Sequence, residues 1–212
     1  MRVGLAHVLP WQFYWLAVTL ALLAWVIVLR RRIRESEQRF RDLAQHDTLT
    51  GLATRLVLQD RLNVALEAAK RHHNGLALLM LDIDRFKDIN DTRGQHAGDE
   101  VLRVTAERIV QAVRKSDTVA RMGGDEFVVL LPDLIDPRAA ESIAAKLVTT
   151  LSAPVPFAGR ELAVSVSIGV CTASPGELDP DVLLKNADVA LYLAKEKGKN
   201  CFEVFFIGTG EA

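Results

Sequence analysis

The longest apolar stretch of the chain, Trp11 to Leu29, is broken only by Gln12 and Thr19. At about 1.5 Å per helical residue it matches the roughly 30 Å hydrocarbon core of a bilayer, which predicts one transmembrane helix over 11–29. Trp11, Tyr14 and Trp15 stand at its start as an interfacial belt, and Arg30, Arg31, Arg32 and Arg34 close its other end against Arg2 alone before it. That asymmetry leaves the arginine side, and everything after it, in the cytoplasm. A cleaved signal peptide would carry its basic cluster before the apolar run and small residues at the boundary, and this segment has neither. Beyond the span, Val26, Leu29, Ile33, Ser36, Phe40 and Leu43 fall on alternating three- and four-residue steps. The steps fit a short coiled-coil stalk over 30–45 or a plain amphipathic linker helix.

After residue 45 the pattern alternates between helical and strand periods. Helices are expected at 55–71, 98–113, 137–151 and 180–197, strands at 76–82 and 162–171, and a hairpin with arms at 118–121 and 127–131. Pro175 to Pro180 marks a loop. Such alternation predicts an α/β fold with a mixed sheet flanked by helices. Setting span and stalk aside leaves about 165 residues, one ordinary domain. A formal net charge of −1 gives no electrostatic footprint for nucleic acid. Cys171 and Cys201, both beyond the arginines and without metal-ligand spacing, read as reduced packing residues.

Candidate chemistry gathers at two points. In Gly123-Gly124-Asp125-Glu126-Phe127 a tight hairpin turn is followed at once by two carboxylates. Glycines at the tip allow positive φ and close approach of a base or phosphate, although acidic turns are also common as plain solvated loops. The second point is Asp82, at the C-terminal end of the apolar run Leu78-Leu79-Met80-Leu81. Asp82 and Asp125 on neighbouring strands would repel each other without a cation and suit a hard divalent ion that leaves room for substrate phosphates. Asp84 shares a face with Asp82 if the strand continues that far; as a loop residue it reads as a helix N-cap.

These motifs occur in a particular order: His46-Asp47-Thr48-Leu49-Thr50-Gly51-Leu52, then Asp82-Ile83-Asp84-Arg85-Phe86-Lys87-Asp88-Ile89-Asn90-Asp91, Gly98-Asp99-Glu100-Val101-Leu102, the acidic hairpin, and Ala187-Asp188-Val189-Ala190-Leu191-Tyr192-Leu193-Ala194-Lys195. Over residues 46–206 the chain resembles the catalytic domain of bacterial diguanylate cyclases, the GGDEF family. The resemblance implies the palm-like, ferredoxin-related fold of nucleotide cyclases. It implies that Asp82 and Asp125, with the carbonyl of Ile83, hold Mg²⁺ or Mn²⁺, two ions per GTP, and that Glu126 serves as a metal ligand or proton acceptor. Asn90 and Asp99 would read guanine, and Phe86 and Lys87 would wrap the phosphates through their backbone. Gly123 and Gly124 would let the nucleotide approach, and Lys195 and Lys199 would neutralise its terminal phosphates.

The reaction so implied condenses two GTP, one on each domain of a homodimer, into cyclic di-GMP and two pyrophosphates; the span over 11–29 would place it at the bacterial inner membrane, with 1–10 a short N-terminal tail and 207–212 a C-terminal tail. Arg114 and Asp117 resemble the family's product-binding inhibitory site; as a bare pattern they also fit a charged helix end. Three positions depart from the usual pattern: Gln95 follows Gly94, Thr54 precedes Arg55, and Lys199 stands where arginine is common. Lysine keeps the charge of that position and loses its bidentate geometry. A catalytically silent membrane receptor for cyclic di-GMP or GTP is the competing expectation, although the acids at Asp125 and Glu126 are intact. A metal-dependent nuclease would need a basic surface that the charge does not supply.

Overall fold

A computed structural model describes residues 15, 18–20, 22–32, 45–174 and 179–207. Chain contacts divide it into Met1–Ala44 and Gln45–Ala212. In the first unit residues 22–32 are helical, and Leu22, Leu23, Trp25, Val26, Ile27, Val28 and Leu29 are all exposed. No helix among the described residues is long and apolar enough to cross a membrane. Much of the expected span, residues 11–14, 16, 17 and 21, lies outside the described residues, as do Ile33, Ser36, Phe40 and Leu43 of the expected seam.

The second unit is built around a six-stranded mixed sheet. In chain order its elements are β1 (Ala53–Thr54), α1 (Arg55–His72), β2 (Gly75–Ile83), α2 (Phe86–Arg93), α3 (Gln95–Ala112), β3 (Thr118–Gly123), β4 (Glu126–Leu134), α4 (Arg138–Leu151), β5 (Val155–Phe157), β6 (Arg160–Leu162), β7 (Val166–Ala173), α5 (Pro180–Glu196) and β8 (Phe202–Ile207). The sheet order is β1-β3-β4-β2-β7-β8, with β2 antiparallel to both neighbours and parallel pairs at the two edges. Central strands covered on both faces have no polar side to alternate with, and so β2 reads as a near-continuous apolar run and β7 buries even its polar Ser167 and Thr172. All eight residues of β7 are buried.

Strand alternation sorts the core into two layers. Ala77, Leu79, Leu81, Phe127, Val129 and Leu131 face α3 and α4, which bring Val101, Ile109, Ala144 and Leu147. Leu76, Leu78, Val128 and Leu130 face the other way, onto Leu58, Leu62 and Leu66 of α1 and Leu183 and Ala187 of α5. At about 25 cal/mol per Å² these buried aliphatic faces supply most of the driving force for the layered arrangement.

Three sequence expectations are corrected. The single strand expected over 162–171 is two: β6 ends at Leu162 in a small hairpin with β5, closed by Ala158 and Gly159 at positive φ, and β7 begins at Val166. The helix expected from Gly98 starts at Gln95, after the separate short helix α2, whose end is marked by Gly94 at φ 83° donating its N–H to the carbonyl of Asn90. The strand β8, absent from the sequence reading, pairs in parallel with β7.

Candidate active site

The acids converge because the register of two strands brings them together. Asp82, on β2, lies directly opposite Glu126, on β4, so the two side chains share a face of the sheet. Between β3 and β4 the chain turns through Gly123 and Gly124, at φ +140° and +54°, and delivers Asp125 beside the end of β2. There the Ile83 N–H points to the Asp125 carbonyl at 3.4 Å. Asp82 retains 14% of its side-chain exposure and meets Lys195 Nζ at 2.8 Å. Burial raises the Asp82 carboxyl above its ordinary value; Lys195 opposes the rise, and the neighbouring charges of Asp125 and Asp84 add to it. The crowding of acids with an ammonium set against one of them is the donor chemistry that a divalent cation would meet. Among the described residues no three His, Cys, Asp or Glu side chains converge closely enough to hold a metal alone.

The hairpin tip is strapped from outside. Arg121 donates from Nε and Nη2 to the Gly124 carbonyl at 3.1 and 2.6 Å, and from Nη1 to Asp47 Oδ1 at 2.9 Å. Asp47 also accepts from the Thr50 N–H and hydroxyl at 2.9 and 2.6 Å. Burial pushes the Asp47 carboxyl up, but the Thr50 and Arg121 hydrogen bonds outweigh it and hold the group below its ordinary value. Asp47 and Thr50 lie within the first sequence motif and Arg121 flanks the acidic hairpin, but nothing in their spacing tells that they meet.

Asn90 and Asp99 come from α2 and α3 across the Gly94 break. The Asn90 carboxamide lies against Gly98, where an added Cβ would fall 2.0 Å from its Oδ1 and 3.1 Å from Phe86 Cζ. Phe86 and Lys87 open α2, so their N–H groups lack intrahelical acceptors. Lys195 lies in the last turn of α5, and Lys199 follows on an exposed turn at φ 67°. A groove of about 620 Å³ beside this turn includes Lys199, Asn200, Arg85 and Asp84 in its lining but neither Asp82 nor Asp125. At the acidic edge Gly123, Gly124 and Glu126 are exposed, while Asp82 and Asp125 are half-buried.

Asp84 does not cap α2. Arg85 holds the N-cap position, in the left-handed region and without a side-chain cap bond, while Asp84 turns inward because β2 ends at Ile83. Arg114 and Asp117 are drawn together by a turn of their own: the Arg114 N–H donates to Asp117 Oδ2 at 2.8 Å and the Asp117 N–H to the Arg114 carbonyl at 3.0 Å. Both line a second groove of about 420 Å³ that Arg61 also borders.

Residues 44–201 match the family model described as "Diguanylate cyclase, GGDEF domain". The chain belongs to the GGDEF family. It is 41% identical over 177 residues to the bifunctional diguanylate cyclase/cyclic di-GMP phosphodiesterase MucR of Pseudomonas aeruginosa, covering 82% of this chain and 26% of that one. It is 40% identical over 169 residues to the diguanylate cyclase TpbB of the same species, covering 79% and 39%. The chain therefore spans well under half the length of these curated relatives. Among solved structures, the GGDEF domain of TpbB superposes with a TM-score of 0.71 at 40% identity, covering 75% of this chain and 93% of that one. The GGDEF domain of DgcB from Caulobacter crescentus, solved with c-di-GMP, gives 0.70 at 32% identity, covering 76% and 93%. The GGDEF fold thus accounts for the sheet, the helices and the position of the acidic hairpin.

Proposed function

We propose that this chain is a diguanylate cyclase that condenses two GTP into cyclic di-GMP and two pyrophosphates. The observation that carries the reading is the pairing of Asp82 with Lys195 at 2.8 Å beside the Asp125-Glu126 hairpin, on a chain 40% identical to the diguanylate cyclase TpbB. Asp82, Asp125, Glu126 and the Ile83 carbonyl would hold Mg²⁺ or Mn²⁺, two ions per GTP. When bound, the metal lowers the cost of charge on the α-phosphate and the departing pyrophosphate. Asn90 and Asp99 orient guanine through its acceptor and donor edges, and the Phe86 and Lys87 N–H groups and the Lys195 and Lys199 ammoniums bind the phosphates.

Each ribose 3′-hydroxyl attacks the α-phosphorus of the GTP held by the other copy; a P–O bond forms, the bond to pyrophosphate breaks, and the hydroxyl proton leaves to a carboxylate or water. The condensation needs two GTP and each copy carries one set of acids, which motivates a homodimer. Residues 11–29 would anchor the chain as a single pass in the bacterial cytoplasmic membrane with the GGDEF domain inside, and the 30–45 stalk would pair the copies. Incubating the purified chain with GTP and Mg²⁺ should yield cyclic di-GMP, and Asp125→Asn should lower the rate on the order of a hundredfold or more. Tight binding of cyclic di-GMP without turnover by the unmodified chain would instead make it a receptor.

Product feedback belongs to the same reading. Arg114 and Asp117 share a groove and a turn, and DgcB is a related GGDEF domain solved with cyclic di-GMP. Arg114→Ala should leave the initial rate unchanged and weaken product inhibition by about ten- to a hundredfold, the loss of one charge-assisted contact. Progress curves of both proteins that bend at the same product concentration would remove Arg114 from the inhibitory site.

A further inference from the structure

Asp84 is 6% exposed, sits two residues beyond Asp82, and has no place in the proposed metal set. A buried carboxylate is costly unless its oxygens are satisfied, and here donors from two other segments meet it. Ser167 Oγ donates to Oδ1 at 2.7 Å, while Ser165 Oγ and the Asn200 N–H donate to Oδ2 at 2.7 and 3.1 Å. The Asp84 N–H adds a bond to the Ser165 carbonyl at 2.9 Å. Ser165 and Ser167 stand at the entry to β7; Asn200 closes the turn that follows α5.

That turn is conformationally demanding. Gly198, Lys199 and Asn200 have φ of +115°, +67° and +51° in succession, and two of the three carry a Cβ that disfavours the left-handed region. Such a run persists only where surrounding contacts hold it. Lys199 N–H reaches the Ala194 carbonyl at 3.2 Å, and the Asn200 carboxamide oxygen accepts from Ser152 Oγ at 2.7 Å. The Gly198 N–H donates to the Lys195 carbonyl at 3.3 Å, and Asp84 supplies a further hold from the residue that directly follows β2, the strand that carries Asp82.

The geometry points to Asp84 as a positioning residue that clamps the Gly198–Asn200 turn to the end of β2 and so sets where Lys199 meets the terminal phosphates of the nucleotide. This rests on the cyclase reading above. The Asp84 carboxylate holds Ser165, Ser167 and the Asn200 N–H next to Lys199, so its effect is expected on the β- and γ-phosphates.

The test compares binding of α,β-methylene GTP, which cannot release pyrophosphate, with binding of GMP, which lacks the terminal phosphates, both to the full chain with Mg²⁺. Asp84→Asn should weaken the triphosphate about tenfold while GMP is unchanged, and Ser165→Ala, which leaves the Asp84 charge in place, should shift the same ratio in the same direction by less. Adding Asp84→Asn to Lys199→Ala should cost nothing more, because the clamp acts through the lysine. Equal weakening of both nucleotides, or additive losses in the double variant, would overturn the clamp and leave Asp84 a packing group. If Asp84→Asn does not fold, the same two comparisons on Ser165→Ala decide. An unmodified chain that binds the triphosphate no better than GMP overturns the cyclase reading and the clamp with it. Discrimination in the unmodified chain that every variant retains overturns the clamp alone.

Discussion

A missing methyl group at Gly98 makes room for Asn90 to lie where it does. The position is helical and buried, so alanine there would gain about 1 kcal/mol of helix propensity. Its Cβ would nevertheless fall 2.0 Å from Asn90 Oδ1, the far end of a side chain that can swing away. Gly98→Ala is therefore expected to fold with an unchanged or higher melting temperature while the guanine reader is displaced. The KM for GTP should rise about tenfold and the preference for GTP over ATP should shrink, since one buried polar contact is worth that much discrimination. Unchanged nucleotide preference, measured by parallel rates with both triphosphates, would show that Asn90 does not read the base. At this scale the placement of the acids was legible in the sequence: Asp82 near a strand end and Asp125 after a glycine turn. Asp84 was not, because its role depends on β2 ending at Ile83 and on two serines more than eighty residues away.

The acidic hairpin is an element held by another element. Arg121 links the Gly124 carbonyl to Asp47, so the segment where the GGDEF domain begins is tied to the turn that carries Asp125. Asp47 lies below its ordinary value of 3.8 in the folded chain. A depressed carboxyl stabilises the fold above its unfolded pKa, and the contribution is lost as pH falls through the folded value. Asp47→Asn should thus cost about 1.5 to 3 kcal/mol at pH 7, the worth of hydrogen bonds to a charged group, and the gap to the unmodified chain should close as pH drops below 3.8. Chemical denaturation at several pH values measures it; a gap that persists unchanged into acid would assign the loss to packing instead. Elements with strong periodicity, such as α1, β2 and α4, were readable from the chain. The break at Ala163–Ser165 was not, because Ala158 and Gly159 turn β6 back on β5 while the apolar pattern runs on through Leu162 and Val164.

At the scale of the whole molecule each copy carries a single set of acids, Asp82, Asp125 and Glu126, at one sheet edge. A condensation of two nucleotides, each on its own copy, then makes rate depend on how often two copies meet. Part of the N-terminal segment is a helix with apolar side chains exposed, and the sequence carries its seam on through Leu43. Held in a plane and paired by a stalk, two domains have an effective concentration on the order of millimolar, against micromolar in dilute solution. A chain beginning at His46 should therefore be mostly monomeric, with specific activity rising in proportion to concentration, while the full chain in detergent or vesicles keeps a constant specific activity over the same range. Fusing the shortened chain to a strong parallel coiled coil in the register of Val26, Leu29, Ile33, Ser36, Phe40 and Leu43 should restore the rate at low concentration, and a register shifted by half a helical turn should restore it less, because the two acidic edges would face apart. Full, concentration-independent activity of the shortened chain would leave the stalk as a tether and place the pairing within the GGDEF domain itself.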